Sequence, residues 1–298
     1  MNRKLLAKAQ KKIDEKRHFA EERAKNFLLT ALRDEEFKQL YTKQKEMEID
    51  MAKKLAFGQD VSFAELDEIK HKQEFILKSK GLNGIDLMPN YECKDCLDTG
   101  YTHGDLCSCL KREINKELLA FSGFTHKLAS FEESKVQNKA FEIMEKWCDL
   151  NSKKINVLLS GKTGTGKTFL TECIANKLMQ KSCVVLFTTA FNLNNSLLSY
   201  HTCFDENRND LIAPYLEAEY LIIDDLGTEP MFKNVTKEYL YLILNERMLN
   251  ERSTIITTNL TPAQILDTYG ERIFSRLMDN RTTIRANIDG VDMRLKKD

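Results

Sequence analysis

From Arg3 to about Leu55, apolar residues recur three, four or seven positions apart, with charged residues filling the intervals. Ile13, Ala20, Ala24, Phe27, Leu28, Ala31 and Leu32 form one such stripe, and Leu40, Met47, Met51 and Leu55 continue it. This period predicts amphipathic helices. No Gly or Pro interrupts it before Gly58-Gln59-Asp60. Ser62 with Glu65 then predicts a capping box ahead of Leu66, Ile69, Phe75 and Ile76. Two or three helices, packed as a hairpin or small bundle, are expected within residues 1–85. Beyond a turn-rich seam at Gly81–Gly84 and Pro89-Asn90, the rhythm changes. From Phe131 onward, helical stretches (Glu132–Leu150, Phe169–Lys181, Thr236–Asn250) alternate with short apolar runs. The runs are Ile155–Ser160, Val184–Thr188, Tyr220–Asp224 and Thr254–Thr258, and the mixed stretch Arg281–Ile288 is expected as a fifth strand. Thr261, Pro262 and Gln264 read as the start of a further helix. Strands alternating with helices predict a parallel, doubly wound α/β sheet.

Directly after the first strand stands Gly161-Lys162-Thr163-Gly164-Thr165-Gly166-Lys167-Thr168, which satisfies G-x-x-x-x-G-K-[ST]. Glycines let successive backbone N–H groups turn toward phosphate oxygens, and the following helix adds its positive N-terminal end. Lys167 is expected to reach the β- and γ-phosphates of a nucleotide, and the Thr168 hydroxyl to bind Mg²⁺. A chance Gly-rich turn is the bland alternative, and the strand before and helix after count against it.

The third strand ends in Asp224-Asp225. In open α/β sheets, ligands sit at the carboxyl edge of the strands. Asp224 is therefore the natural Mg²⁺ partner, and Asp225 is placed to orient or deprotonate an attacking water. A helix cap is the plain alternative. Strand four ends in Thr257-Thr258-Asn259, which offers an amide between the γ-phosphate and that water. Arg272 and Arg276 lie one helical turn apart in Gly270–Leu277, either as phosphoryl-binding arginines or as a salt-bridging surface helix.

Charge and cysteine content narrow the class. Lys plus Arg equals Asp plus Glu at 45 each in 298 residues, so net charge does not argue for nucleic acid. The first 25 residues carry nine basic and four acidic side chains, a net of +5, which suits a solvated helix face or a partner contact. No apolar run approaches the roughly 20 residues of a membrane span, and no signal-peptide core is visible, so a cytoplasmic protein without membrane partners is expected. In that compartment eight cysteines read as thiols or metal ligands. Cys93-x-x-Cys96 and Cys107-x-Cys109 can supply four thiolates to a tetrahedral Zn²⁺ from two short turns. An iron–sulfur cluster, simple reduced thiols or a substitution by His103 are the alternatives. Cys148, Cys173, Cys183 and Cys203 have no ligand spacing.

Taken together, the phosphate loop, Leu221–Gly227, Asn245-Glu246-Arg247 before Ser253–Leu260, and Gly270–Leu277 resemble bacterial replicative-helicase loaders of the DnaC/DnaI type, which are AAA+ ATPases. The resemblance spans roughly residues 90–296; the first 80 residues share only helical character. It implies a helicase-interacting helical domain over 1–85, a zinc-binding knuckle and linker over 86–125, and an AAA+ ATPase domain over 126–298. Gly161–Thr168 would be Walker A, and Asp224 and Asp225 Walker B. The second Walker B place usually holds Glu in AAA+ proteins, so the shorter Asp225 implies weak ATP hydrolysis. Asn259 would be sensor 1, Arg276 an arginine finger with Arg272 beside it, and Arg294 sensor 2. The implied function is an ATP-dependent loader that places a hexameric replicative helicase on single-stranded DNA. The protomers would self-associate in the ATP state. DNA would be bound through about Phe191–Tyr215, whose Phe191, Tyr200, Phe204 and Tyr215 suit base stacking or plain helix packing. The alternative is an IstB-like transposition-helper ATPase.

Overall fold

The computed structural model describes residues 3–133, 139–150, 155–205 and 208–288. They form two compact units, one of residues 11–105 and one of the described residues within 3–10 and 106–288.

The periodic N-terminal pattern becomes α1 (Arg3–Ala31), α2 (Glu35–Ala56) and α3 (Ala64–Ser79). Asp34 starts α2 by accepting the Phe37 N–H at 3.0 Å. Within residues 11–105, Ala31, Phe37, Ile76 and Leu77 form a small core, with Leu28, Leu32, Leu40 and Tyr41 packed on it. The expected box at Ser62 and Glu65 does not form. Phe63 already has helical angles (φ −93°, ψ −6°) and occupies the N-cap, so Ser62 stands one residue too early. Glu65 turns outward to Lys43 at 2.7 Å. A minimal hairpin of β1 (Tyr101–Thr102) and β2 (Asp105–Leu106) follows, with Gly104 at φ 87°.

The larger unit carries α4 (Ser108–Phe121), α5 (Lys139–Asp149), β3 (Asn156–Ser160), α6 (Lys167–Gln180), β4 (Val185–Thr189), α7 (Ala190–Thr202) and α8 (Arg208–Glu217). β5 (Tyr220–Leu226), α9 (Thr236–Leu249), β6 (Ser253–Thr258), α10 (Pro262–Tyr269), α11 (Glu271–Met278) and β7 (Thr283–Asn287) complete it. Five parallel strands run in the order β4-β5-β6-β3-β7, as the alternating pattern requires. The expected long helix from Glu132 is shorter. Phe131–Glu133 is a 3₁₀ turn and α5 begins at Lys139, with residues 134–138 outside the described set. The expected cap of Thr261 and Gln264 forms a reciprocal box.

The central strands are buried on both faces, as parallel strands between helices must be. Val157, Leu159, Val185, Phe187, Ile222 and Ile255 meet Leu170, Ile174 and Leu178 of α6 in one core. The edge strand β4 is protected by a side chain. Buried Asn115 of α4 donates to the Cys183 carbonyl at 2.8 Å and accepts the Val185 N–H at 2.9 Å. It satisfies backbone groups at the strand's start that would otherwise be open to pairing. A second buried polar residue braces the starts of β5 and β6. Arg247 on α9 is fully enclosed and donates to the carbonyls of Tyr215, Ala218, Glu219 and Ser253 and to Thr254 Oγ1. All five acceptors are neutral, and burial pulls the guanidinium down to about 9.

Candidate nucleotide site

β3 leads into a loop that needs glycine at two points. A Cβ on Gly161 would lie 2.4 Å from the carbonyl oxygen of Ile288, so no side chain fits between the loop and the end of β7. Gly166 is the N-cap of α6 at φ 92°, ψ 16°, a left-handed turn that brings the chain directly into the helix. Thr165 is buried and donates to the Lys162 carbonyl at 2.9 Å, which folds the loop on itself. Lys162 and Thr163 are exposed at its crest.

Lys167 is 5% exposed, and its ammonium donates to the carbonyls of Gly161 (2.9 Å) and Lys162 (2.8 Å) and to Asn259 Oδ1. A buried ammonium on neutral acceptors, at a helix N-terminus with open backbone amides, is suited to a phosphate. Asn259 reaches it because β6 lies between β3 and β5, so the end of β6 emerges between the loop and the paired acids.

The acids sit opposite. Asp224 is 3% exposed; its Oδ2 accepts the Thr168 hydroxyl at 2.8 Å and its Oδ1 accepts the Thr257 hydroxyl at 2.7 Å. Burial raises the Asp224 pKa, the Thr257 and Thr168 hydrogen bonds lower it, and neighbouring Asp225 raises it further. Asp225 is half-buried with φ 58°, a left-handed conformation at a non-glycine residue. Its N–H is bonded to Thr257 Oγ1 at 2.7 Å. Thr257 is a site residue the sequence did not flag; as one hydroxyl among several on β6, it carried no distinguishing signal.

The arginines lie apart from this cluster. Arg272 is exposed on α11. Arg276 is half-buried, donates to Asn245 Oδ1 at 3.0 Å and stands over the Tyr241 ring at 6.0 Å. Its Nε has no hydrogen-bond partner among the described residues. Arg294 lies outside the described residues. Of the aromatics expected to stack bases, Tyr215 is 1% exposed, packs on Phe121 and donates to Ser196, so helix packing accounts for it. Tyr200 is half-buried between Tyr239 and the Arg208 guanidinium. Phe191 and Phe204 remain exposed.

The four cysteines expected to bind metal come together. The sulfurs of Cys93, Cys96, Cys107 and Cys109 all lie within 4.8 Å of one another, and all four residues are buried. Asp98, in a left-handed turn (φ 52°), accepts the N–H groups of Glu92 and Cys93 at 2.8 Å each, and Gly100 N–H points to the Cys96 sulfur at 3.4 Å. Four soft donors closing on one point fit a structural Zn²⁺; His103 is not among them. Cys148 and Cys173 are buried thiols pushed up to about 12 by desolvation, so neither is a reactive thiolate. Among the described residues no helix is long and apolar enough to cross a membrane.

Comparison with known proteins agrees with this geometry. YdaV of Escherichia coli, uncharacterised, is 27% identical over 166 residues, covering 52% of this chain and 64% of its own. The phage-like element PBSX protein XkdC of Bacillus subtilis is 25% identical over 259 residues, covering 78% of this chain and 96% of its own. The replicative helicase loader DnaI of B. subtilis is 31% identical over 120 residues, or 38% of this chain and 37% of DnaI. The chain thus spans less than two thirds of both YdaV and DnaI. The model of the family described as IstB-like ATP binding protein matches residues 120–298. That match takes in the loop, the paired acids and the whole parallel sheet, and the chain belongs to the IstB-like ATP binding protein family.

Proposed function

We propose that this protein is an ATP-dependent loader that binds a replicative DNA helicase and helps place it on single-stranded DNA. The observation that carries this reading is the 31% identity to the helicase loader DnaI, in a chain whose loop, acids and Asn259 close into one site. In this reading Gly161–Thr168 wrap the phosphates of ATP or ADP. Lys167 exchanges its three neutral acceptors for β- and γ-oxygens, a charge-assisted gain. Thr168 and Asp224 hold Mg²⁺, which when bound neutralises charge on the transferring phosphoryl group. Asp225 orients or deprotonates the attacking water, and Asn259, released from Lys167, marks its position. One methylene fewer than Glu shortens the reach of Asp225, which favours slow turnover and a switch-like use of ATP.

Arg276 serves a neighbouring protomer's nucleotide, with Arg272 and Arg294 supporting the phosphates. This requires Arg276 to leave Asn245, a single hydrogen bond made by an arginine whose Nε is otherwise unpaired. ATP therefore promotes self-association. Residues 1–85 engage the helicase, 86–125 form a Zn²⁺ knuckle and linker, and 126–298 are the ATPase domain. Single-stranded DNA stacks on Phe191 and Phe204, the aromatics of the 191–215 segment that stay exposed. A second reading, a transposition-helper ATPase, is favoured by the family description itself. Mixing the protein with its host's replicative helicase, with and without ATP and single-stranded DNA, and weighing the complexes by light scattering tests the choice. An ATP-sensitive complex supports the loader. Failure to bind the helicase under every condition, with binding to a transposase instead, transfers the assignment to the second reading.

A further inference from the structure

The end of β5 is irregular in a way that the nucleotide site depends on. β5 and β6 pair in register through Ile223 and Ile256, then resume with Leu226 opposite Thr258. Two residues, Asp224 and Asp225, therefore face the single residue Thr257. That two-against-one count defines a β-bulge, a device that re-aims side chains at the end of a strand. The bulge places Asp225 at φ 58°, which costs about 1 kcal/mol for a residue with a Cβ and persists only if its surroundings enforce it.

Thr257 supplies the enforcement. Its side chain is fully buried, and its one hydroxyl makes two bonds at once. It donates to Asp224 Oδ1 at 2.7 Å and is bonded by the Asp225 N–H at 2.7 Å. The Asp225 amide, which the bulge withdraws from the regular ladder, is thus satisfied by a side chain. The other end of the bulge is pinned separately, since Thr228 donates from both N–H (3.3 Å) and Oγ1 (2.8 Å) to the Asp225 carbonyl. Thr258 Oγ1 holds the Leu226 carbonyl at 2.7 Å. Among the described residues, only the Thr257 side chain hydrogen-bonds to both acids. With Thr168 on Oδ2, it leaves the Asp224 carboxylate a single orientation.

We propose that Thr257 is the positioning residue of this site, an outer partner that fixes Asp224 toward the divalent ion and holds Asp225 in its bulged conformation. The inference rests on the nucleotide-binding reading above and adds a determinant of its Mg²⁺ requirement. Outer partners of metal-ligating carboxylates typically alter metal affinity by about 10–100-fold when removed. The effect should therefore appear as a Mg²⁺ requirement, not as lost nucleotide contacts, because Thr257 touches neither the loop nor Lys167 in any hydrogen bond described.

The test compares wild type, Thr257→Val and Thr257→Ser. Binding of a fluorescent ATP analogue is titrated in EDTA and then across a Mg²⁺ series, with thermal melting to check folding. Val keeps the branched shape and removes the hydroxyl; Ser keeps the hydroxyl. Thr257→Val should bind the analogue in EDTA as wild type does, but need about 10–100-fold more Mg²⁺ for half-maximal enhancement. Thr257→Ser should restore a near-wild-type requirement. An unchanged requirement in Thr257→Val, or an equal rise in Thr257→Ser, overturns the proposal while leaving the nucleotide site standing. Wild type that binds no analogue at any Mg²⁺ concentration overturns both. Should Thr257→Val not fold, Thr257→Cys takes its place. It has the size of Ser but only a weak S–H donor, and a requirement equal to that of Thr257→Ser refutes the proposal.

Discussion

Replacing Arg247 by Met should be among the most damaging single changes in the larger unit, although Arg247 touches nothing in the nucleotide site. The guanidinium spends all its donor directions on four carbonyls and a hydroxyl, at 2.6 to 3.4 Å, and no water reaches it. Met fills similar volume but leaves those acceptors buried and unpaired. Each unpaired buried acceptor costs about 1–3 kcal/mol. Against this, the variant no longer buries a cation, a penalty of several kcal/mol in a low-dielectric interior. The lowered pKa of Arg247 records that penalty. The net loss should be about 3–5 kcal/mol, the acceptor penalties less the relief of the buried cation. At about 2–4 °C per kcal/mol for a unit of this size, the melting midpoint should fall by roughly 6–20 °C. Arg247→Lys should recover only part of this, because an ammonium has three donors where the guanidinium has five. Differential scanning calorimetry on the nucleotide-free protein reads the effect. A midpoint within about 2 °C of wild type for Arg247→Met would refute the claim that these carbonyls depend on Arg247.

Three further outcomes follow from the site. Gly161→Ala must displace the Ile288 carbonyl, which a Cβ would approach to 2.4 Å. It should cost about 1–3 kcal/mol and weaken nucleotide binding more than ten-fold, and unchanged affinity by calorimetry would contradict the loop geometry. Burial raises the Asp224 pKa, so the folded state binds its proton more tightly than the unfolded chain and the nucleotide-free protein loses stability as pH rises through that raised value. Mg²⁺ competes with that proton, so Mg²⁺-dependent nucleotide binding should weaken on acidification at a pH above the ordinary carboxylate range, about 4. Asp224→Asn should abolish this pH dependence without destabilising the nucleotide-free protein, and a lower midpoint for Asp224→Asn would count against the raised pKa. Cys93→Ser should lower bound zinc, measured by plasma emission spectrometry on the purified protein, with a loss of local protection in hydrogen exchange, since metal binding supplies folding free energy. Equal zinc content in variant and wild type would remove the metal assignment.

Much of this architecture was legible because its signals are local. A strand, a glycine-rich turn and a helix start stand within fifteen residues at Asn156–Leu170, and the glycines occupy the left-handed and sterically closed positions that the motif requires. Four of the five strands were readable as apolar runs because parallel strands between helices are buried on both sides, whereas the edge strand β7 is mixed and partly exposed. The convergence of Cys93, Cys96, Cys107 and Cys109 followed from spacing alone. What escaped the sequence depends on neighbours distant in the chain. Ser62 and Glu65 satisfy a capping pattern, but the angles of Phe63 decide where α3 begins. Tyr215 looks like a stacking aromatic until α4 supplies Phe121 to cover it. Pro214 lies inside α8, where a proline ordinarily interrupts a helix, so this element has no clear local signal. The roles of Thr257 and Arg247 emerge only when β5, β6 and α9 come together, because a threonine in a strand and an arginine in a helix are unremarkable by composition.

The crook between Lys167, Thr168 and Asp224 must take a nucleotide for the proposed switch to operate. Thermal melting with a non-hydrolysable ATP analogue and Mg²⁺, on wild type and Lys167→Ala side by side, measures this directly. At a ligand concentration one hundred times Kd, binding to the folded state adds about 2.7 kcal/mol. That should raise the wild-type midpoint by roughly 5–10 °C and leave the midpoint of Lys167→Ala where it was. A wild-type midpoint that does not move, or one that moves equally in both proteins, would contradict the assignment.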